Sequence, residues 1–257
     1  MGIAILPLAI AALACTTWAQ SSTNSSSGPI VDLGYAHYRG NTSLRANFST
    51  DVYYGIRFAQ APIGELRWQP PQNIEAHNDY DRDEVIDAQT PSPSCVQGMP
   101  AWQIASMNET SPVAVPGQED CLLLDVYVPE QPKSASLPVL VNIHGGGYTE
   151  GSAAGNAWQA LVDASGGEFI FVSTQYRLGA YGFLSSAEVR ENGQANAGLL
   201  DQRSALQWVQ RNIRAFGGDP AQVTIIGGSA GGGSGGLFRC FDDDGDNADV
   251  LVQLWIR

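Results

Sequence analysis

Val223-Thr-Ile-Ile-Gly-Gly-Ser-Ala-Gly-Gly232 decides the fold, because an apolar run typical of a buried strand leads directly into a GxSxG pattern centred on Ser229. Gly227 and Gly231 flank the serine, and their lack of side chains permits a strand-to-helix turn that is too sharp for other residues. Such a turn holds the serine in a strained conformation with its hydroxyl exposed. A glycine-rich turn without a function would carry the same letters in a chain with 29 glycines. The preceding strand is what favours a nucleophilic serine.

A second glycine-rich stretch also follows a predicted strand. Val139-Leu-Val-Asn-Ile-His144 is mostly apolar and leads into Gly145-Gly-Gly-Tyr148. Residues without Cβ allow backbone N–H groups to face a ligand, and each such donor stabilises a developing oxyanion by roughly 2.7–4 kcal/mol. The alternatives are a tight strand-to-helix turn and a phosphate-binding loop. Neither a GxGxxG nor a GxxxxGK[ST] pattern is present here, which disfavours nucleotide binding.

These two motifs carry a family resemblance. The chain from about Ile30 to Ser234 resembles the type-B carboxylesterases and lipases, an α/β-hydrolase family that includes cholinesterases and secreted fungal lipases. Arg57 and Gln60 depart from the family's usual residues, and Gly228 replaces the glutamate that is frequent beside its serine. Five further blocks resemble the family and occur in its order: Tyr54–Arg67, Glu119–Pro129, Tyr176–Leu184, Asn196–Gln202 and Phe216–Pro220.

The resemblance implies both a fold and a set of site residues. The fold is α/β, an α/β-hydrolase with a mostly parallel sheet flanked by helices, truncated after the nucleophile elbow. Ser229 is implied as the catalytic nucleophile. The oxyanion hole is implied to consist of the N–H groups of Gly146, Gly147 and Ala230, with Gly227 and Gly231 as elbow glycines. We expect no cofactor and no metal ligand set.

Hydrophobic patterning predicts the main elements of this fold. Runs of buried type, the last three rich in the β-branched residues of parallel strands, predict strands at 122–128, 139–144, 169–174 and 223–226. Leu206, Val209 and Ile213 recur at three- and four-residue steps, which predicts a helix over 199–213. We expect Trp208 and Phe216 to be core residues rather than substrate contacts.

The histidines depart from the family pattern. In α/β-hydrolases the triad follows the chain order serine, acid, histidine, whereas the histidines of this sequence are His37, His77 and His144, all upstream of Ser229. His144 is expected to orient the glycine-rich loop and to be a poor general base, because it would have to swing out to reach Ser229. His37 and His77 have no supporting motif and are expected at ordinary surface or core positions. We therefore expect the 257 residues by themselves to be catalytically incomplete.

The resemblance stops after Ser234. Interior glycines cost a helix up to about 1 kcal/mol each, so the glycine-rich segment 231–236 predicts an elbow without its supporting helix and a sheet with an exposed edge. The acidic residues Asp242, Asp243, Asp244 and Asp246 do not match the EF-hand spacing, which favours a solvated tail over a calcium loop.

Domain organisation follows from composition. Residues 1–19 hold an uncharged apolar run and then small residues at the −3 and −1 positions, which predicts a secretory signal peptide, with an uncleaved anchor as the alternative. Residues 20–29 are a serine-rich linker, 30–236 the partial carboxylesterase domain and 237–257 an atypical acidic tail. Beyond residue 19, no stretch approaches the ~20 apolar residues of a spanning helix, so we expect a secreted protein without a stable membrane anchor.

Cysteines and sequons agree with secretion. The resemblance implies a disulfide between Cys95 and Cys121, with two buried thiols as the alternative. Closing this loop would stabilise the fold by roughly 3.5 kcal/mol on the chain-entropy model. Cys240 is then left odd. Four Asn-x-Ser/Thr sequons predict N-glycosylation, at Asn24, Asn41, Asn47 and Asn108.

Two classes of function remain open. The formal net charge of −13 repels polyanions, which makes nucleic acid an improbable partner. The first class is a secreted serine esterase or lipase that acts on small-molecule or lipid carboxylic esters through an acyl-serine. The second is a non-catalytic binding or adhesion module, or an inactive truncated product, because the family scaffold also carries such proteins. The sequence does not reveal the acyl-chain preference.

Overall fold

The structure is a computed structural model that describes residues 27–45, 48–81, 83–98, 117–154, 156–242 and 253–255. The predicted signal peptide at 1–19, the first part of the serine-rich linker and the sequons at Asn24, Asn47 and Asn108 lie outside these residues, as does most of the acidic cluster. Asn41 is described and is exposed.

The strands form two sheets. A three-stranded sheet has the order β1-β2-β5, with β1 at Ile30–Asp32, β2 at His37–Arg39 and β5 at Val85–Asp87. A seven-stranded sheet has the order β10-β9-β7-β8-β6-β4-β3. Its strands are β3 at Asn41–Arg45, β4 at Phe48–Arg57, β6 at Leu123–Pro129, β7 at Leu137–Ile143, β8 at Ile170–Thr174, β9 at Gly218–Gly227 and β10 at Gln253–Trp255.

The large sheet is mixed. β7 pairs in parallel with both β8 and β9, as their composition predicts, whereas β6 pairs antiparallel with β8 and with β4. All five residues of β8 are buried, which is expected of a strand covered on both faces. The predicted α/β-hydrolase architecture is confirmed, with the antiparallel strands gathered at the β3 side.

Five helices flank the sheets in the described part of the chain: α1 at Asn156–Ser165, α2 at Gly179–Phe183, α3 at Ala187–Asn192, α4 at Ala197–Asn212 and α5 at Ala230–Asp242. α4 matches the helix predicted over 199–213, and it passes into a 3-10 turn that ends at Gly217, which has a left-handed φ of 83°. Trp208 on α4 is fully buried and Phe216 is 6% exposed. Both are core residues, as expected.

The expectation that the elbow lacks its supporting helix is wrong, because α5 runs from Ala230 to Asp242 and packs on β9 and β7. Its glycines permit a close approach that no other residue would allow. A Cβ added at Gly231 would lie 2.0 Å from the carbonyl oxygen of Ile143, and one at Gly227 would lie 2.5 Å from the carbonyl carbon of Gly231. Tertiary packing therefore overrides the low helix propensity.

The edge strand of the sheet is β10 rather than β9, so part of β9 is paired. β10 pairs in parallel with β9, and Gln253, Leu254 and Trp255 lie opposite Thr224, Ile225 and Ile226. The segment predicted as a solvated tail thus contributes a strand as well as the last turns of α5. Periodicity could not reveal a three-residue strand.

A buried ion pair ties the β8–α2 connection to α4. The guanidinium of Arg177 donates to both carboxylate oxygens of Asp201, at 2.8 and 2.7 Å. The backbone N–H of Arg177 donates to the same carboxylate at 3.0 Å. The two side chains are 3% and 0% exposed. Removal of either one would therefore leave an uncompensated buried charge.

Candidate active site

Ser229 occupies the turn between β9 and α5. Its φ of 55° lies in the left-handed region, which is uncommon for a residue with a side chain. The residue is exposed. Because the close contacts of Gly227 and Gly231 fix the strand end and the helix start, the turn cannot relax. The predicted geometry of a strained, accessible serine is present.

The glycine-rich loop after β7 is built around left-handed residues. Gly146, Gly147 and Tyr148 have φ values of 108°, 62° and 62°. The carbonyl oxygen of Gly146 accepts hydrogen bonds from the N–H groups of Thr149 and Glu150, both at 3.0 Å. The backbone N–H groups of Gly146 and Gly147, like that of Ala230, donate to no described residue. These donors remain available to a ligand.

The loop and the elbow lie against each other. A Cβ added at Gly145 would lie 3.2 Å from the Cβ of Ser229 and 2.7 Å from the carbonyl oxygen of Gly228. Gly145 is therefore the residue that lets the two motifs approach. Gly228 itself is exposed, and a Cβ there would meet no atom within 4 Å. Packing against the described residues therefore does not require a glycine at this position.

His144 lies beneath the loop, as expected. Its ring stacks on Tyr176 with 4.3 Å between centroids, and the Tyr176 hydroxyl donates to the His144 carbonyl oxygen at 2.8 Å. Nδ1 lies 2.8 Å from the carbonyl oxygen of Gly145; because a carbonyl only accepts, Nδ1 carries the proton. Nε2 is buried with no partner in the described part of the chain. Burial lowers the pKa of His144, which favours the neutral ring.

The other two histidines do not join the site. His77 is exposed, and its Nδ1 lies 3.2 Å from the carbonyl oxygen of Asn73. His37 is on β2 in the small sheet, 35% exposed, with its Nε2 3.6 Å from Asp32. Both occupy ordinary positions, as expected.

Tyr148 links the loop to two helices, which no motif in the sequence predicted. Its hydroxyl accepts a hydrogen bond of 3.4 Å from Ser234 on α5, and its ring packs against Phe183 on α2 at 5.1 Å. Its carbonyl oxygen accepts from the N–H of Gly179 at 2.8 Å. The aromatic residue directly after three glycines was the available signal, but its partners lie far away in the sequence.

The predicted disulfide joins Cys95 to Cys121, with 5.0 Å between their Cα atoms. Both cysteines are buried. Within the described ranges, no group of three or more His, Cys, Asp or Glu side chains is arranged to hold a metal ion. The same residues contain no helix long and apolar enough to cross a bilayer.

A mixed sheet that delivers a strained serine from a strand into a helix defines an α/β-hydrolase. The model of the Carboxylesterase family matches residues 27–240. The chain belongs to this family.

Relatives and solved structures agree with this assignment. The chain is 38% identical over 234 residues to liver carboxylesterase 1 of Oryctolagus cuniculus, a match that covers 88% of this chain and 39% of the relative. Among solved structures, Aspergillus niger EstA is 40% identical with a TM-score of 0.65, covering 80% of this chain and 37% of that one. A thermophilic pNB esterase is 36% identical with a TM-score of 0.66, over 81% and 40%. The chain thus spans about two fifths of the length of these proteins.

Proposed function

We propose that this chain carries the nucleophile and the oxyanion hole of a serine carboxylic ester hydrolase. The observation that carries the proposal is the exposed Ser229, at positive φ, against a glycine loop whose N–H groups have no described acceptor. A non-catalytic scaffold would not require a strained serine beside free donors. The names of the relatives, carboxylesterase and esterase, support the same reaction class.

The reaction follows from the two motifs. The Oγ of Ser229 attacks the ester carbonyl carbon while a base accepts its proton, and the carbonyl π electrons move to the oxygen. The N–H groups of Gly146, Gly147 and Ala230 donate to that oxyanion. Its collapse breaks the bond to the alkoxy group, which leaves with a proton as the alcohol. Water then repeats the attack on the acyl-serine and releases the carboxylic acid.

The base and the acid are proposed to come from outside these 257 residues. His144 is fixed beneath the loop by Tyr176 and by its contact to Gly145, so its ring is not free to reach Ser229. His37 and His77 lie away from both motifs. The expectation that the 257 residues by themselves show no serine-dependent turnover stays a prediction.

Secretion and glycosylation are also proposed. The apolar start predicts a mature N-terminus near Gln20, and the Cys95–Cys121 disulfide is typical of an oxidising compartment. Asn41 is exposed on β3 at the edge of the sheet, where a glycan would fit. Peptide mapping of the secreted product should find Gln20 as the first residue and a glycan on Asn41; Met1 at the N-terminus would contradict secretion.

The proposed reaction is tested by ester hydrolysis with the native protein that carries this sequence. Ser229→Ala should lower turnover of a p-nitrophenyl ester on the order of a million-fold, because the loss of the nucleophile leaves only the oxyanion hole and binding. The exposed Ser134 provides the control, and Ser134→Ala should leave turnover unchanged. Full activity of Ser229→Ala would refute the proposal.

A further inference from the structure

The segment that follows Cys95 runs along the far end of the glycine-rich loop. The N–H of Gly98 donates to the carbonyl oxygen of Thr149 at 2.6 Å. One residue earlier, the side-chain amide of Gln97 bonds Gly151 in both directions. The N–H of Gly151 donates to Oε1 of Gln97 at 2.6 Å, and Nε2 of Gln97 donates to the carbonyl oxygen of Gly151 at 2.9 Å.

Gly151 is in direct contact with the other end of the loop. Its φ is +120°, and a Cβ added to it would lie 2.2 Å from Nδ1 of His144 and 2.5 Å from the carbonyl oxygen of Gly145. The loop therefore closes on itself, with Gly151 seated against His144 and Gly145. A side chain that fixes Gly151 fixes both ends of the loop that contains Gly146 and Gly147.

Gln97 is itself fixed by the disulfide. Its Nε2 also donates to the carbonyl oxygen of Cys95 at 2.7 Å, and Cys95 is bonded to Cys121, which directly precedes the buried core of β6. The side chain of Gln97 is partly buried. Without these bonds, the N–H and the carbonyl group of Gly151 would have to find other partners or remain unsatisfied, which destabilises the loop.

The contact with Gly151 requires a side chain that both donates and accepts. Only a side chain with both a donor and an acceptor can bond the N–H and the C=O of one residue at once. A glutamate can accept but not donate, whereas a protonated glutamic acid can do both. A Gln97→Glu variant should therefore restore the contact with Gly151 only at a pH low enough to protonate the carboxyl group. A general loss of packing would not show this pH dependence.

We propose that Gln97 is a positioning residue that holds the glycine-rich loop in the shape that presents its N–H donors, and that the Cys95–Cys121 disulfide holds Gln97 in register. The inference rests on the proposed role of this loop as the oxyanion hole. Gln97 touches neither Ser229 nor the reacting atoms, and it acts through Gly151.

The test is residue-resolved hydrogen exchange of the native protein that carries this sequence, with its disulfide intact. The amides of Thr149 and Glu150 report the loop, because both donate to the carbonyl oxygen of Gly146. Gln97→Ala should lower their protection factors at least tenfold, and so should reduction of the disulfide. Gln118 provides the control: it lies in the same disulfide-closed loop, is exposed, and its side chain bonds the carbonyl oxygen of Asp120 and no other described residue. Gln118→Ala should leave both amides unchanged.

Gln97→Glu separates positioning from general destabilisation. Its protection factors at Thr149 and Glu150 should be low at pH 7 and should return towards the wild-type value at pH 4, where a large share of the carboxyl is protonated. In the native protein, Gln97→Ala should lower kcat at least tenfold with little change in KM. Unchanged protection in Gln97→Ala, or low protection of Gln97→Glu at both pH values, would overturn the inference. Neither exchange result depends on Ser229, whereas loss of the proposed function is read from Ser229→Ala alone.

Discussion

At the scale of single residues, glycines determine the position of Ser229. The turn brings the end of β9, the first residues of α5 and the end of β7 within contact, and at Gly231 no room is left for a methyl group. At other glycines of α5 the situation differs. A Cβ at Gly236 would meet no atom within 4 Å, so the glycine there is not required by packing.

The first prediction compares these two positions. Gly231→Ala should lower the free energy of unfolding by about 1–3 kcal/mol, because the methyl group would overlap the carbonyl oxygen of Ile143. Gly236→Ala should raise it by up to about 1 kcal/mol, since alanine is the better helix former. Urea unfolding of both variants measures the difference. Equal stabilities would contradict the close approach of α5 to β7.

The predictability of single residues depends on how local their partners are. GxSxG predicts the elbow because its sterics involve only a few neighbours along the chain. Gln97 and Tyr148 have partners 54 and 86 positions away, and no local pattern specifies such contacts. The pairing of Cys95 with Cys121 was available only through resemblance to the family.

At the scale of elements, patterning located β6 to β9 and α4 because each has a buried face with a regular period. It failed at α5, where five interior glycines mask a helix that tertiary contacts stabilise, and at the short strand β10. β6 contains one residue that its apolar pattern does not explain. Asp125 is fully buried; its Oδ1 accepts from the N–H of Gly55 at 2.9 Å and from the hydroxyl of Ser92, and its Oδ2 has no described partner.

The second prediction concerns the pH dependence of this carboxyl. Burial raises the pKa of Asp125 to about 6, so the folded state binds the proton more tightly than the unfolded state does. Its contribution to stability is present below pH 4 and is lost as the pH rises to above 6. Asp125→Asn keeps the shape without the charge. At pH 7.5 it should therefore raise the free energy of unfolding, relative to wild type, by on the order of 3 kcal/mol.

Urea unfolding at pH 4 and pH 7.5 measures this effect, and the advantage of Asp125→Asn should nearly vanish at pH 4. Asp79→Asn removes the same charge from an exposed position and serves as the control, with little change expected at either pH. An Asp125→Asn variant that is less stable than wild type at pH 7.5 would show that the buried carboxylate has a favourable charged partner.

At the scale of the whole molecule, the fold brings Ser229 and the glycine-rich loop after β7 into contact. α5 packs on β9 and β7, β10 extends the sheet beyond β9, and the segment closed by the disulfide contacts the far end of the glycine-rich loop through Gln97. Fold class and both motifs were predictable from the sequence, because they are local and are repeated in the family's order. The bracing contacts were not, since they exist only after the sheet has formed.

We propose that Ser229 is the residue that becomes acylated. The most direct measurement is treatment of the native protein with a fluorophosphonate, followed by peptide mapping of the adduct. Only Ser229 combines an exposed hydroxyl at positive φ with neighbouring free N–H donors in the described part of the chain, so the adduct should be found on Ser229 alone. If the reagent abolishes the esterase activity but the adduct lies on another serine, the assignment of Ser229 as the nucleophile is wrong.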